Sequence, residues 1–250
     1  MVGPDRALVS IDMAGAQSLV GRVVGRGFRD AVDMCVAPGS LDSVLLSELP
    51  VAALLSGYGT LYSGLLPSPV SDDFVGGLPV DVCAGWAAPA SLMVRIGRDR
   101  VFPTPDGPVA PPDDNGWHAM PVLAPGSMRR QRLLERTGEH VWAMFRDTYA
   151  RADGVVTILH EYTVEATVSH EPGGARITRC VATPRVLPWA ECPLAAASAA
   201  GLVGRPVAAL RELVRHEFTG TSTCTHLNDL LSSLAQADDL VESPEQPDAR

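Results

Sequence analysis

The stretch VVTILHEYTVEATVSH, residues 155–170, decides the fold. From Val156 to Val168 its even-numbered positions are mostly apolar, and the odd-numbered positions between them carry mostly Thr and Glu. Alternation with a period of two, sustained over this length, is typical of a β-strand that buries one face. We therefore expect a long strand with one side against a core.

The flanking segments predict partner strands. HVWAMFRDTY (140–149) precedes the turn residues ADG (152–154), and EPGG (171–174) leads into ARITRCVA (175–182). Short connections rich in Gly and Asp join antiparallel neighbours. Residues 140–182 are therefore predicted to form an antiparallel meander.

Helical patterns follow the strands. Pro193 occupies a favoured first helical position, and apolar residues then recur at helical spacing. We expect three helices, in CPLAAASAAGLVG (192–204), RPVAALRELVRHEF (205–218) and THLNDLLSSLAQ (225–236, with Thr223 or Thr225 as N-cap). The predicted class is α+β, an antiparallel β-sheet meander, flat or strongly curved, with C-terminal helices packed on one side.

The first hundred residues mix short apolar runs with Gly and Pro. GSLDSVLLSELP (39–50) predicts a short helix that Ser40 caps and Pro50 ends. We expect strands in RALVSIDMAG (6–15), LVGRVVGRGF (19–28), PVDVCAGW (79–86) and SLMVRIGR (91–98).

The domain organisation follows from one change of composition. Residues 102–126 hold seven prolines, which predicts a long crossing loop or lid and not a regular element. We expect a single α+β domain over residues 1–240 and a disordered acidic tail over 241–250.

Charge and composition exclude several classes of protein. The net charge is −9, all 20 basic residues are Arg, and no Arg cluster is interleaved with aromatics, so we expect no nucleic-acid partner. MRRQRLLER (128–136) reads as a solvated strand or helix face. No apolar run approaches the ~18 residues needed to span a bilayer, and MVGPDRALVS (1–10) lacks signal-peptide features, so we expect no membrane association and a cytoplasmic location.

Three positions are candidates for chemistry. His160 lies on the apolar parity of its strand, where an imidazole needs polar partners; a core histidine satisfied by its neighbours is the alternative. Cys192 precedes Pro193 at a predicted helix N-terminus, which favours thiolate, unless it is simply a buried small side chain. Cys224 and His226 project to one side of an extended segment at another helix start.

Five cysteines, at positions 35, 83, 180, 192 and 224, are too widely spaced for a disulfide framework. The sequence also lacks a nucleophile elbow, a P-loop, a dinucleotide fingerprint and an HExxH helix. We therefore expect no redox cofactor.

Several segments carry a resemblance to a known family. LHEYTVEATV (159–168), PRVLPWAECPLAAASAAGLVG (184–204) and GTSTCTHLNDLL (220–231), in this order, resemble bacterial, largely actinobacterial, proteins of domain-of-unknown-function family 2889, with its PWxxCP and CTHL signatures. PVDVCAGWA (79–87) and GWHAMPVLAPGSMRR (116–130) resemble its upstream segments. The resemblance implies no activity. It places five residues in recurring motifs: His160, Glu161, Cys192, Cys224 and His226.

The leading hypothesis is an enzyme that transforms a small organic molecule in bacterial secondary or catabolic metabolism. It would be a hydrolase, hydratase or lyase, isomerase or cyclase, with His160 or His226 as general acid or base and no cofactor. A covalent version uses Cys192 or Cys224 as nucleophile.

Two alternatives stay open. One is a zinc-dependent hydrolase or lyase with Cys192, Cys224 and His226 as ligands, joined in one version by His160. The other is a non-catalytic small-molecule-binding protein, in which both thiols are ordinary packed side chains.

Overall fold

The computed structural model of the chain describes residues 6–25, 27–62, 64, 68–111 and 120–240. The chain divides into two compact units, Met1–Leu61 and Tyr62–Arg250. The single domain expected over 1–240 stays a prediction, because a compact unit need not fold alone. The expected disorder of 241–250 concerns residues outside the described ones.

The first unit is helical. Its helices are α1 (Phe28–Asp33), α2 (Leu41–Ser47) and α3 (Leu49–Tyr62), with a 3-10 turn at Gln17–Leu19. The core includes Leu8, Leu19, Phe28 and Val32. The Ser40 hydroxyl accepts a hydrogen bond from the Ser43 amide at 3.2 Å, so the predicted cap is confirmed.

Three sequence predictions for this unit are wrong. Among its described residues, 6–15 and 19–28 form no strand beyond one bridge between Ala7 and Val23. Gly15 and Gly21 adopt positive φ angles of 81° and 86°, which turn the chain where a strand would continue. Pro50 does not end a helix, because it lies in the first turn of α3, where no amide donor is needed.

Residues Leu41–Tyr62 form a 22-residue helical stretch that is long and apolar enough to cross a membrane by length and composition alone. Asp42 and Glu48 interrupt the apolar run in the sequence, so the length of the helical stretch is not apparent there. Core helices of soluble proteins pass the same test. The expected absence of membrane association therefore stays a prediction.

The second unit contains the sheet. Its strands are β1 (Met128–Thr137), β2 (His140–Ala150), β3 (Val156–Glu171) and β4 (Gly174–Val186). They are antiparallel in the order β1-β2-β3-β4, and the sheet is open. The predicted meander is confirmed, and β1 extends it by one strand.

Helices cover one face of this sheet. The α-helices of the unit are α4 (Asp72–Gly76), α5 (Ser91–Asp99), α6 (Leu210–Glu217) and α7 (Thr225–Ser233). Its 3-10 segments are Ala84–Trp86, Cys192–Leu202, Val207–Ala209, Gly220–Ser222 and Leu234–Gln236. The main core joins strand residues such as Phe145 and Tyr162 to helix residues such as Leu210 and Leu227. The α+β class is confirmed.

Several local features of this unit differ from the sequence predictions: two expected strands, the type of one helix and the N-cap of another. Segment 91–98, expected as a strand, lies in α5, because Leu92 and Ile96 are one helical turn apart and both are buried. Segment 79–86, also expected as a strand, forms turns and a 3-10 helix. The run that begins at Cys192 is 3-10 and not α. Cys224, and neither predicted threonine, is the N-cap of α7.

The Pro-rich segment 102–126 is described except for 112–119. Its described part pairs with the start of β3: the Ile158 amide donates to the Pro108 carbonyl at 2.9 Å, and the Ala110 amide donates to the Val156 carbonyl at 2.8 Å. β4 ends opposite Glu161, so this segment occupies the side of β3 that β4 leaves open. The segment therefore extends the sheet locally.

Gly107 is required by this close approach. A Cβ at Gly107 would lie 1.9 Å from the Ile158 carbonyl oxygen, which belongs to the sheet backbone and cannot move cheaply. We predict that Gly107→Ala lowers the free energy of unfolding by more than ~1 kcal/mol in urea denaturation. Gly97→Ala is the matched control: it meets nothing within 4 Å in α5 and should raise stability by ~0.5–1 kcal/mol. Similar changes in the two variants would contradict the steric conflict expected at Gly107.

Candidate functional site

The sheet register places three polar side chains in one row. Arg130 of β1 faces Asp147 of β2, and Asp147 faces His160 of β3. Residues opposed in antiparallel strands project to the same face, so a cation, a carboxylate and an imidazole stand side by side. The register shifts between Asp147 and Thr148, a bulge of the kind that redirects side chains. The predicted alternation is therefore interrupted before His160.

Arg130 and Asp147 form a buried bidentate ion pair. Nε of Arg130 donates to Oδ1 at 2.7 Å, and Nη2 donates to Oδ2 at 2.8 Å. The side chains are 11% and 0% exposed. Burial favours the protonated acid, but Arg130 and then His160 outweigh it and hold the pKa of Asp147 well below its usual value. Asp147 is therefore a carboxylate at neutral pH.

His160 and His226 stack on each other above this carboxylate. Nδ1 of His160 lies 3.3 Å from Oδ2 of Asp147. The two imidazole rings are 4.0 Å apart between centroids, at an interplanar angle of 20°. His226 belongs to the first turn of α7, so the pair joins the helix layer to the sheet.

His226 is a neutral imidazole with one unsatisfied nitrogen. Its residue is 7% exposed, and burial, followed by the electrostatic influence of His160 and Arg130, lowers its pKa well below the usual value. Nδ1 lies 3.9 Å from Sγ of Cys224. Nε2 is buried and has no hydrogen-bond partner in the described part of the chain.

Asp229 ties α7 to β1. Nη1 of Arg130 donates to Oδ2 of Asp229 at 3.0 Å, and Nη1 of Arg132 lies 3.7 Å from the same oxygen. Two guanidinium groups thus face two carboxylates, Asp147 and Asp229. The formal charges of these four groups balance.

The structure brings together three of the five residues singled out from the sequence. His160, Cys224 and His226 converge. Glu161 faces Arg146 on the neighbouring strand and forms an ion pair with it at 2.6 Å. Being adjacent to His160 in an extended strand, Glu161 projects to the other face. It does not belong to the cluster.

The Cys192 side chain is closely packed against its neighbours. A Cβ at Gly85 would lie 2.5 Å from its sulfur, so the thiol fills the space that this glycine leaves. Its carbonyl accepts a hydrogen bond from the Tyr162 hydroxyl at 3.1 Å.

Burial weighs against the thiolate that the helix start predicted for Cys192, and it acts on the Cys224 thiol in the same way. Burial raises the pKa of Cys224 to about 11 and raises the pKa of Cys192 well above its usual value. The loss of hydration on burial outweighs the stabilisation that a helix start offers to a thiolate. Both thiols are therefore protonated at neutral pH.

The residues placed to share a metal ion differ from the set of Cys192, Cys224 and His226 that was expected for zinc. Among the residues that the structure describes, the His, Cys and acidic groups placed to share a metal ion are Asp147, His160 and His226, with ligand atoms within 4.8 Å of one another. Neither Cys192 nor Cys224 belongs to this group.

Sequence reasoning missed Arg130, Asp147 and Asp229. Segment 128–136 was expected to be solvated, yet the Arg130 side chain is largely buried. The signal that could have found them is cross-strand register, because Arg130 and Asp147 each lie on the core-facing parity of their strand.

A comparison with protein families gives one result. The family model described as "Protein of unknown function (DUF2889)" matches residues 128–238, which contain the whole cluster. No curated protein and no solved structure matches the chain.

The buried ion pair predicts a large effect of removing Arg130. Arg130→Ala leaves Asp147 buried and unpaired, so we expect a loss of ~3–5 kcal/mol in the free energy of unfolding. The control, Arg205→Ala, removes an exposed guanidinium that contacts Glu217 at 2.8 Å and should cost at most ~1 kcal/mol. Chemical denaturation measures both. Equal small losses would mean that Asp147 is hydrated.

The low pKa of His226 predicts an acid-sensitive fold. The unfolded chain takes up a proton on this imidazole near pH 6.5 and the native chain does not, so stability is retained above that pH and lost as pH falls below it. The contribution is ~1.4 kcal/mol per pH unit. In chelator-treated protein, His226→Asn should show a flatter decline of stability between pH 7 and 5 than wild type. The control is His216→Asn, at an exposed position. Parallel declines for wild type and His226→Asn would refute a neutral buried His226.

Proposed function

We propose that the chain, whose residues 128–238 match the DUF2889 family model, is an enzyme that transforms a small organic molecule by proton transfer at the Arg130–Asp147–His160–His226 cluster. The reaction classes that suit this equipment are hydrolysis, hydration or elimination, isomerisation and cyclisation. The expected bacterial origin of the chain stays part of the proposal.

One observation carries the proposal: two imidazoles lie in contact on a buried carboxylate that an arginine keeps ionised. A purely apolar contact would fill this position in the core at lower cost, because buried polar groups lose hydration. Perturbed titratable groups that converge between two layers are a common feature of active sites.

The geometry suggests a role for each group. Asp147 orients the His160 ring through Nδ1 and would stabilise the imidazolium that forms when His160 accepts a proton. Arg130 keeps Asp147 ionised and fixed. The unpartnered Nε2 of neutral His226 is available to hydrogen-bond the substrate.

The thiols take no part in this proposal. A nucleophilic Cys192 or Cys224 would first have to lose a proton against burial, which raises both pKa values. The imidazoles already offer lone pairs in their neutral form, so proton transfer at histidine is the simpler chemistry.

A non-catalytic small-molecule-binding protein is the second candidate. The observation that favours it is the burial of both rings, since His160 is only 2% exposed. Turnover would require the residues that bury the two rings to move apart for each substrate. Binding without turnover would require only one stable closed state.

The test uses the purified chain and a mixed library of small esters, amides, unsaturated acids and ketones, with conversion followed by mass spectrometry. We expect at least one compound to be converted, and His160→Asn to lower its rate by ~10²–10⁴. His216→Asn removes an exposed imidazole that contacts Glu212, and this control should retain the wild-type rate. Equal rates for wild type and both His160→Asn and His226→Asn would refute proton transfer at this cluster. Retention of a compound without conversion would favour the binding protein.

A further inference from the structure

The same cluster has the donor atoms of a metal site. We propose that Asp147, His160 and His226 bind a divalent transition-metal ion of the zinc type through one carboxylate oxygen and one nitrogen from each ring. This inference goes beyond the proposed function and does not rest on it.

The donor set fits such an ion. Two imidazoles and one carboxylate are the protein ligands of many catalytic zinc sites and of non-haem iron sites. The three residues are 0%, 2% and 7% exposed, so few water molecules compete for them. Nε2 of His226 is buried without a hydrogen-bond partner, a costly state that a metal ion would relieve.

The distances define what must move. A tetrahedral ion with ordinary bond lengths holds its donors about 3.3 Å apart, so ligand atoms spread over as much as 4.8 Å must close by about 1.5 Å. The rings are inclined by only 20°, and their lone pairs lie in the ring planes. One ring must therefore rotate before both can reach a shared ion.

Arg130 would become an outer partner of the bound ion, that is, a residue that hydrogen-bonds a metal ligand without binding the ion itself. Oδ2 of Asp147 is the oxygen that faces His160, so it would bind the metal while Oδ1 keeps its hydrogen bond from Nε of Arg130. The metal would compete with the hydrogen bond that Oδ2 accepts from Nη2 of Arg130 at 2.8 Å. Outer partners of this kind orient ligating carboxylates. The positive charge of Arg130 lowers metal affinity, and Asp229, 3.0 Å from its Nη1, offsets part of that cost.

Metal binding and proton transfer require the same lone pairs. An ion held by both rings removes His160 as a proton acceptor and occupies the free nitrogen of His226. The metal-loaded and metal-free chains are therefore chemically different species, which permits separate tests of the two proposals.

The test begins with the full chain treated with EDTA and dialysed. Cobalt(II) is then titrated while visible absorption and bound metal are measured. We expect about one cobalt per chain, visible bands from nitrogen and oxygen ligands, and no thiolate-to-cobalt charge-transfer band. Added zinc should displace the cobalt and bleach the spectrum.

Variants identify the ligands. His226→Asn should weaken cobalt binding by more than the ~10–100-fold that loss of an outer partner costs. His216→Asn and Cys192→Ser should bind as wild type does. The wild-type titration decides the case even if His226→Asn does not fold.

Three results would overturn the metal site: no cobalt bound by the wild-type chain, a charge-transfer band that makes Cys224 a ligand, or unchanged affinity in folded His226→Asn. The library assay separates the two proposals. Conversion by EDTA-treated chain supports proton transfer whether or not cobalt binds, and conversion only after metal is added supports the metal site and removes His160 as the base.

Discussion

The ion pair between Arg130 and Asp147 is the constraint on which the rest of the site depends. An ionised carboxylate with no exposed surface is tolerated in a core only when its charge is matched and its oxygens are hydrogen-bonded. Arg130 does both, and Oδ2 of Asp147 lies 3.3 Å from Nδ1 of His160 on the next strand. Through Asp229 the same arginine holds the first turns of α7, and this brings His226 onto His160.

This arrangement links the two layers of the unit by polar contacts where most α+β interfaces use apolar ones. Around it the interface is conventional: Phe145 and Tyr162 of the sheet pack with leucines of α6 and α7. The guanidinium carbon of Arg130 lies 4.5 Å from the centre of the Phe145 ring. Arg130 therefore contacts both the polar row and the apolar residues that pack around it. Cys180 and Cys224 belong to the apolar part of this interface, and burial raises the pKa of both thiols.

The strand alternation after His160 was sufficient to predict the meander, because one buried face imposes a period of two. It failed for 91–98, where two apolar residues one turn apart were read as part of a strand. Near the N-terminus, positive-φ glycines cut the expected strands into turns. Local apolar content could not separate these cases without knowing what each segment packs against.

The site was predictable in part. His160 was a candidate because it lies on the apolar parity of its strand. His226 was a candidate because it lies two residues from Cys224 at a helix start. Asp147 and Arg130 required the register, which the turn Gly138–Glu139 sets by pairing Thr137 with His140. The bulge beside Asp147 then determines that it faces His160, and no local sequence signal announces that bulge. The thiolate predicted at Cys192 assumes a helix start that is open to water, whereas burial raises the pKa of this thiol.

The contact between the two imidazoles can be measured directly by NMR. In chelator-treated chain with labelled histidines, we expect nuclear Overhauser effects between the ring protons of His160 and His226, together with a chemical shift of the His226 ring that reports a neutral imidazole at neutral pH. If these ring protons show no mutual effect in a chain whose strands otherwise pair as described, the two imidazoles are not in contact and the proposed cluster does not form.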